Sequence, residues 1–177
     1  MIRNLLLSFI IVLLGITGRY LHSKKLPLRP FETKHLTDDV SIAIDTRGVA
    51  HIEAKTWKDA QFGLGYMMAK DRLWQMEVLR RASAGRLSEY FGERTIKMDK
   101  LMRSLRLRAS MENYLLKNEI SPEISILVDS FLEGINTFIS QGNLPIEFDL
   151  IGKYPEKWKL IDVLSISGIV TFSFAEG

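Results

Sequence analysis

The stretch from Gly48 to Gly92, GVAHIEAKTWKDAQFGLGYMMAKDRLWQMEVLRRASAGRLSEYFG, constrains this chain more than any other. Just before it, Val40-Ser41-Ile42-Ala43-Ile44-Asp45 alternates apolar and polar residues, as a half-buried strand does. Thr46-Arg47-Gly48 supplies a turn, with Gly48 free to take a positive φ, and Val49 to Ala54 returns as a second strand. Thr56-Trp57-Lys58-Asp59 then fits the pattern of a capped helix start, a hydroxyl followed three residues later by an acid. Phe62, Tyr66, Ala69, Leu73 and Met76 follow at helical spacing and make one apolar stripe. Gly63 and Gly65 lie inside that stripe, where a glycine costs about 1 kcal/mol of helix propensity. The pattern predicts that both are there to let a neighbouring element come close.

Downstream the chain reads as helical. A short helix is expected around Arg86 to Phe91, ending at Gly92, and a third helix from about Lys97 to Lys117. Ser121-Pro122 caps a fourth, running to about Ser140, with Ile124, Leu127, Val128, Phe131, Ile135 and Phe138 as its buried face. Asn143-Leu144-Pro145 opens a loop that lasts to Pro155-Glu156-Lys157-Trp158. Asp162 then begins a last apolar helix, Val163 to Phe174. The sequence stops at Ala175-Glu176-Gly177 with no closing turn, which reads as a chain cut within an element.

The remaining organisation is simple. Residues 1–18 carry a short positive flank at Arg3 and the apolar run Leu5 to Ile16, of signal-peptide length and too short for a comfortable membrane span. Export is the favoured reading, with the segment either a cleaved signal peptide or an uncleaved membrane anchor. Residues 19–39 form a polar linker punctuated by Pro27 and Pro30, and the folded body occupies 40–177. With 46% hydrophobic and 25% charged residues the chain is globular in composition. The absence of cysteine excludes disulfides, thiolate metal sites and a Cys nucleophile. A net charge of +3 is spread thinly. Arg103, Arg106 and Arg108 fall on more than one helix face, so a solvated surface is expected and nucleic acid is not an expected partner.

The residues able to do chemistry are few. His51 shares a strand face with Glu53, a spacing that any two such residues have, and a structural role is expected. His22 and His35 have no metal-ligand spacing to each other or to His51, so no metal site is assembled. Asp71-Arg72 and Glu77-Arg80-Arg81 read as scaffold; the i,i+3 and i,i+4 spacings of Glu77 are those of ordinary helix ion pairs. Gly63-Leu64-Gly65 lacks the third glycine and the placement of a dinucleotide loop. Ser165, Ser167 and Ser173 sit in the last apolar segment without a nucleophile elbow or an evident His partner. No catalytic residue is assigned.

Taken in order, the Gly-Val-x-His-Ile strand, Gly-x-Gly-Tyr, Asp-Arg-Leu-Trp-Gln-Met-Glu, Gly-Arg-Leu-Ser-Glu, Gly134-Ile135-Asn136, Pro145-x-Glu147-Phe148 and Pro155-x-x-Trp158-x-x-x-Asp162 resemble the penicillin acylase family of N-terminal-nucleophile hydrolases, from about Val40 onward. The resemblance implies an α+β fold: a mainly helical α-subunit portion with an N-terminal hairpin, completed to an αββα sandwich by a larger β-subunit. That partner would carry a Ser, Thr or Cys nucleophile at its own N-terminus, where a free α-amine with a pKa of about 8 can serve as base. No internal serine of this chain has such an amine. The substrate implied is a small acyl amide. One position carries over as substrate-binding, Phe174, when the last helix is aligned on Gly168. Some complete members of the family hold calcium, through an acid slightly beyond this helix. Glu176 falls too early for that role, so no cofactor is expected in this chain. The competing expectation is a non-catalytic, membrane-anchored helical interaction module or a decayed gene fragment. Either way, a lone two-stranded hairpin leaves exposed edges and is marginal by itself.

Overall fold

The computed structural model of the protein describes residues 30–175. The apolar segment Leu5 to Ile16, His22, Pro27 and Glu176 lie outside the described residues. Strands β1 (Val40–Ile44) and β2 (Ala50–Ala54) pair antiparallel with Ile42 opposite Ile52. Their turn is built by Asp45, whose carboxylate accepts from the backbone N–H groups of Arg47 and Val49, and by Gly48 at φ 84°. Val40, Ile42 and Ile52 turn toward the helix that follows, while Ser41, Ala43, His51 and Glu53 face outward.

Helix α1 (Trp57–Ser83) is the spine, 27 residues and therefore about 40 Å long. Its start is tied down more firmly than the sequence pattern requires. The Thr56 hydroxyl accepts from the Asp59 N–H and donates to the Asp59 carboxylate, which also accepts from the Thr37 N–H at 2.8 Å. One fully buried acid thus closes the helix end and fastens the linker to it. Burial alone would raise the pKa of Asp59; the Thr37 and Thr56 hydrogen bonds and the nearby Lys58 charge outweigh it and hold the carboxyl below its ordinary value. The stabilisation is therefore complete above about pH 4, the unfolded value, and is lost as the pH falls through the lower folded value. Asp59→Ala is expected to lose about 1–2 kcal/mol at neutral pH. Asp59→Asn should also flatten the acid limb of a stability-against-pH curve, and an unchanged acid limb would contradict this account.

All five residues of the predicted α1 stripe are buried. Phe62 and Tyr66 pack on α5 (Pro122–Ser140), capped by Ser121 as its sequence predicts. The two helices run side by side in the same direction, Lys58 beside Ser130, Phe62 beside Gly134 and Tyr66 beside Phe138. At the crossing, a Cβ on Gly65 would run into the Phe131 carbonyl and one on Gly134 into the Phe62 carbonyl. Gly63 instead faces Ile52 and Val40 of the hairpin. The two α1 glycines therefore serve two different neighbours. One expectation fails here: Ile124 is 56% exposed. Because Ser130 already sits at the first turn of α1, the part of α5 before it projects past the end of its partner, and Leu132 joins the core instead.

Between the long helices the chain differs from its sequence reading in two places. The short helix is α2 (Ser88–Phe91), extended by a 3₁₀ turn, Gly92–Thr95. The single helix expected over 97–117 is two, α3 (Ile96–Leu105) and α4 (Leu107–Lys117), broken at Arg106, which takes a left-handed conformation with φ 55°. The break lets α3 fold back so that the Asp99 carboxylate accepts from the Leu87 and Ser88 N–H groups and Arg103 donates to the Gly85 carbonyl. The loop expected between Asn143 and Trp158 contains a further helix, α6 (Ile146–Ile151). It exists to bury Ile146 and Phe148, the latter lying edge-on to Trp74 at 5.3 Å. The last helix, α7 (Leu160–Ala175), is capped by Asp162, which accepts from the Lys159 N–H. Among the described residues no helix is long and apolar enough to cross a membrane.

Candidate functional site

The densest chemistry among the described residues lies where α1, the Trp158 loop and α7 meet. Glu77, Arg80 and Arg81 occupy consecutive turns near the end of α1 on its core-facing side, so the fold buries them: their side chains are 0%, 6% and 5% exposed. Arg80 donates to Glu77 at 2.8 Å. The other Glu77 oxygen accepts from the Trp158 indole N–H at 2.7 Å, and the Tyr90 hydroxyl donates to the carboxylate at 3.4 Å. The Arg80 guanidinium lies 5.1 Å over the Trp158 ring and that of Arg81 lies 4.0 Å over Tyr90. Asn136 on α5 holds the Trp158 backbone at both ends, accepting from its N–H and donating to its carbonyl. Asp162 completes the set, 3.5 Å from Arg80 and 2.9 Å from Arg108.

Sequence spacing alone made Glu77 with Arg80 and Arg81 look like ordinary helix ion pairs. The structure corrects this: they are buried, and they join the Asp-Arg-Leu-Trp-Gln-Met-Glu helix to the Pro-x-x-Trp loop. The scaffold role assigned to the stretch agrees with that geometry. Burial pushes the Glu77 carboxyl up, opposed by the Arg80 charge and hydrogen bond and by the Trp158 N–H. Tyr90 is likewise raised, first by burial and then by the Glu77 charge. The signal that could have revealed the network is the pair of Trp158 and Asp162 at a spacing of one helical turn, opposite a helix carrying an acid and two arginines.

This network sets the direction of α7 and hence of Phe174, 12 residues and about 18 Å beyond Asp162. Phe174 is 81% exposed, a large ring with nothing from the described residues covering it. The serines before it are engaged with their own helix: Ser165 donates to the Ile161 carbonyl and Ser167 to that of Val163. The side chain of Ser173 lies outside the described residues. His51 is paired with Asp45 at 3.6 Å, not with Glu53, and His35 with Glu133 at 3.4 Å. Neither histidine is hydrogen-bonded to a serine among the described residues. Nor do the described residues gather three or more His, Asp or Glu side chains that could hold a metal ion. Asp71 and Arg72 are exposed on α1.

Comparison with known proteins agrees with the motif order. The model of the family described as penicillin amidase matches residues 39–177. An acyl-homoserine lactone acylase, QuiP, of Pseudomonas syringae pv. tomato is 35% identical over 147 residues, covering 82% of this chain and 18% of that protein. Penicillin acylase 2 proenzyme of a Pseudomonas species is 35% identical over 127 residues, 70% of this chain and 16% of the relative. Among solved structures, a thermostable penicillin G acylase from Alcaligenes faecalis superposes with a TM-score of 0.69 at 26% identity, covering 78% of this chain and 75% of that one. The chain spans less than a fifth of the length of the curated relatives it matches. From the hairpin through α7, then, this chain is a member of the penicillin amidase family.

Proposed function

We propose that this chain is the α-subunit-like part of an acylase-type amidohydrolase that hydrolyses a linear amide, releasing an acyl group from an amine. The observation that carries the reading is the family match over every described element from β1 to α7. In this proposal the nucleophile belongs to a partner β-chain, as a Ser, Thr or Cys at its N-terminus that attacks the amide carbonyl with its own α-amine as base. Backbone donors of that chain hold the oxyanion, and water then releases the acid. This chain supplies the scaffold and one wall of the acyl pocket, with Phe174 offering its ring to the acyl group. The apolar run Leu5 to Ile16 supports export, to the periplasm or to a membrane-anchored position. Relatives named for acyl-homoserine lactones and for penicillin both fit an acyl amide.

Two experiments test this. Sequencing the locus through and beyond codon 177 should reveal a spacer and a Ser, Thr or Cys at a processing point; a locus without them sinks the two-subunit reading. In the assembled enzyme, Phe174→Ala should lower kcat/KM for an acyl amide by about tenfold or more, from roughly 1.5–3 kcal/mol of lost ring burial. The stability of the chain should change by no more than about 0.5 kcal/mol, because the ring is exposed in the chain itself. Unchanged kinetics across acyl groups of different length would remove Phe174 from the pocket.

A further inference from the structure

The buried network has a basic mouth whose use the acylase reading does not explain. A cleft of about 60 Å³ opens between the end of α1, the Arg86 turn, the start of α4 and the loop that enters α7. At about 15 Å³ for each water-sized sphere, that is room for roughly four waters or one small polyatomic ion. Six of its lining side chains are cationic: Arg80, Arg81, Arg86, Arg108, Lys157 and Lys159. Its two carboxylates are already engaged, Glu156 by Arg86 at 3.2 Å and Asp162 by Arg108 at 2.9 Å. Behind the lining, Glu77 and Glu89 face Arg81, and Glu112 and Glu133 face Arg108 and Lys157 from outside.

Two of the cations are under-used. Arg81 is buried, yet its Nε has no hydrogen-bond partner, and its ion pairs to Glu77 and Glu89 are long, at 3.9 and 3.7 Å. A buried donor without a partner is uncommon. The Tyr90 ring beneath the guanidinium offsets part of the cost but supplies no acceptor along Nε. The Lys159 amine makes no ion pair or hydrogen bond among the described residues, and Lys157 reaches Glu133 only at 3.8 Å. Converging arginines and lysines from separate segments, with a forked guanidinium among them, match the several oxygens of a compact oxyanion.

We infer that this cleft binds a small tetrahedral oxyanion of the phosphate class, held by Arg81 and Lys159 and flanked by Arg86 and Arg108. The ion ties the α1 end, the α4 start and the α7 entry together, and so stabilises the fold by mass action. The inference does not depend on the acylase reading. Free phosphate and a phosphoryl group on a larger molecule share this chemistry. Competition between inorganic phosphate and phenyl phosphate separates the two sources, since only a cleft open to larger ligands lets phenyl phosphate compete.

The test is a titration with inorganic phosphate at constant ionic strength, on the full chain purified with any subunit that accompanies it. Heat of binding and ³¹P line width are the readouts. One saturable site and a rise in melting temperature are expected. Lys159→Gln, an exposed change that leaves the core intact, should weaken binding by about tenfold, the scale of one charge-assisted hydrogen bond. Arg81→Gln should weaken it at least as much. Lys58→Gln, 22 residues from Arg80 at the other end of α1 and so about 33 Å away, should leave it unchanged. No saturation at millimolar phosphate overturns the inference. So does an equal loss in the Lys58 and Lys159 variants, which would mean diffuse charge attraction only.

Discussion

Glu77→Ala is expected to destabilise the protein by about 3–5 kcal/mol, the cost of removing one partner from a buried ion pair and stranding the other. The residue is completely buried and serves four groups: Arg80, Arg81, Trp158 and Tyr90. Its loss leaves two buried guanidinium groups with less compensation and the indole N–H without an acceptor. Against a total stability of about 5–15 kcal/mol, that is a large fraction. Glu77→Gln keeps the volume and an oxygen for Trp158, so it should cost roughly half as much, about 2 kcal/mol. The pH dependence has the opposite sign to that of Asp59. Burial raises the folded pKa of Glu77 despite its arginines, so its contribution falls as the pH rises from the unfolded value through the folded one. The Gln variant should lose that slope. Urea midpoints across pH measure both effects, and a Glu77→Ala cost below about 1 kcal/mol would show that water reaches the arginines.

The second large effect is expected at the crossing of α1 and α5. Gly65→Ala places a methyl group 2.9 Å from the Phe131 carbonyl carbon, and Gly134→Ala places one 2.7 Å from the Tyr66 backbone nitrogen. Backbone cannot rotate away as a side chain can, so the helices must separate along the whole Phe62–Phe138 seam. Each substitution should cost about 3 kcal/mol, the upper end for overpacking. Gly63→Ala is the internal comparison. The nearest atoms to its methyl group are on the Ile52, Val40 and Ile42 side chains, at 2.9, 3.2 and 3.8 Å, and it gains about 1 kcal/mol of helix propensity. It should lie within about 1 kcal/mol of neutral. Equal melting temperatures for the three variants would refute the close-crossing account.

These two regions mark what sequence could and could not convey. The hairpin, the α1 stripe and the bounds of α5 were legible because each rests on local periodicity and on Ser, Thr and Pro at a helix start. The glycines in α1 announced a close neighbour but not that two neighbours share them. Ile124 was misplaced because periodicity defines a helix face and not where the facing helix begins. The break at Arg106 was hidden because a left-handed arginine has no compositional mark, unlike a glycine at the same angle. The Glu77 network was visible only as spacing. Solvated and buried pairs look identical at i,i+3, and the partners that decide between them, Trp158 and Asp162, lie far along the chain. The Asp-Arg-Leu and Pro-x-x-Trp motifs nonetheless carried the family. The pocket role proposed for Phe174 rests on that resemblance alone, since an exposed ring at the end of an apolar helix has no local pattern of its own.

The link between Glu77 and Trp158 also bears on how the chain is made. The two residues are 81 positions apart, and translation proceeds at about 5–20 residues per second, so Trp158 is added about 4–16 s after Glu77. Through that interval the long first helix has its acid and arginines but not the indole and the Asn136 clamp that enclose them. A nascent chain arrested before codon 158 therefore displays a helix with an apolar stripe and unclosed charges on the same side. Such chains should be preferred clients of ribosome-associated chaperones, and release from them should come only once the final third of the sequence has left the exit tunnel.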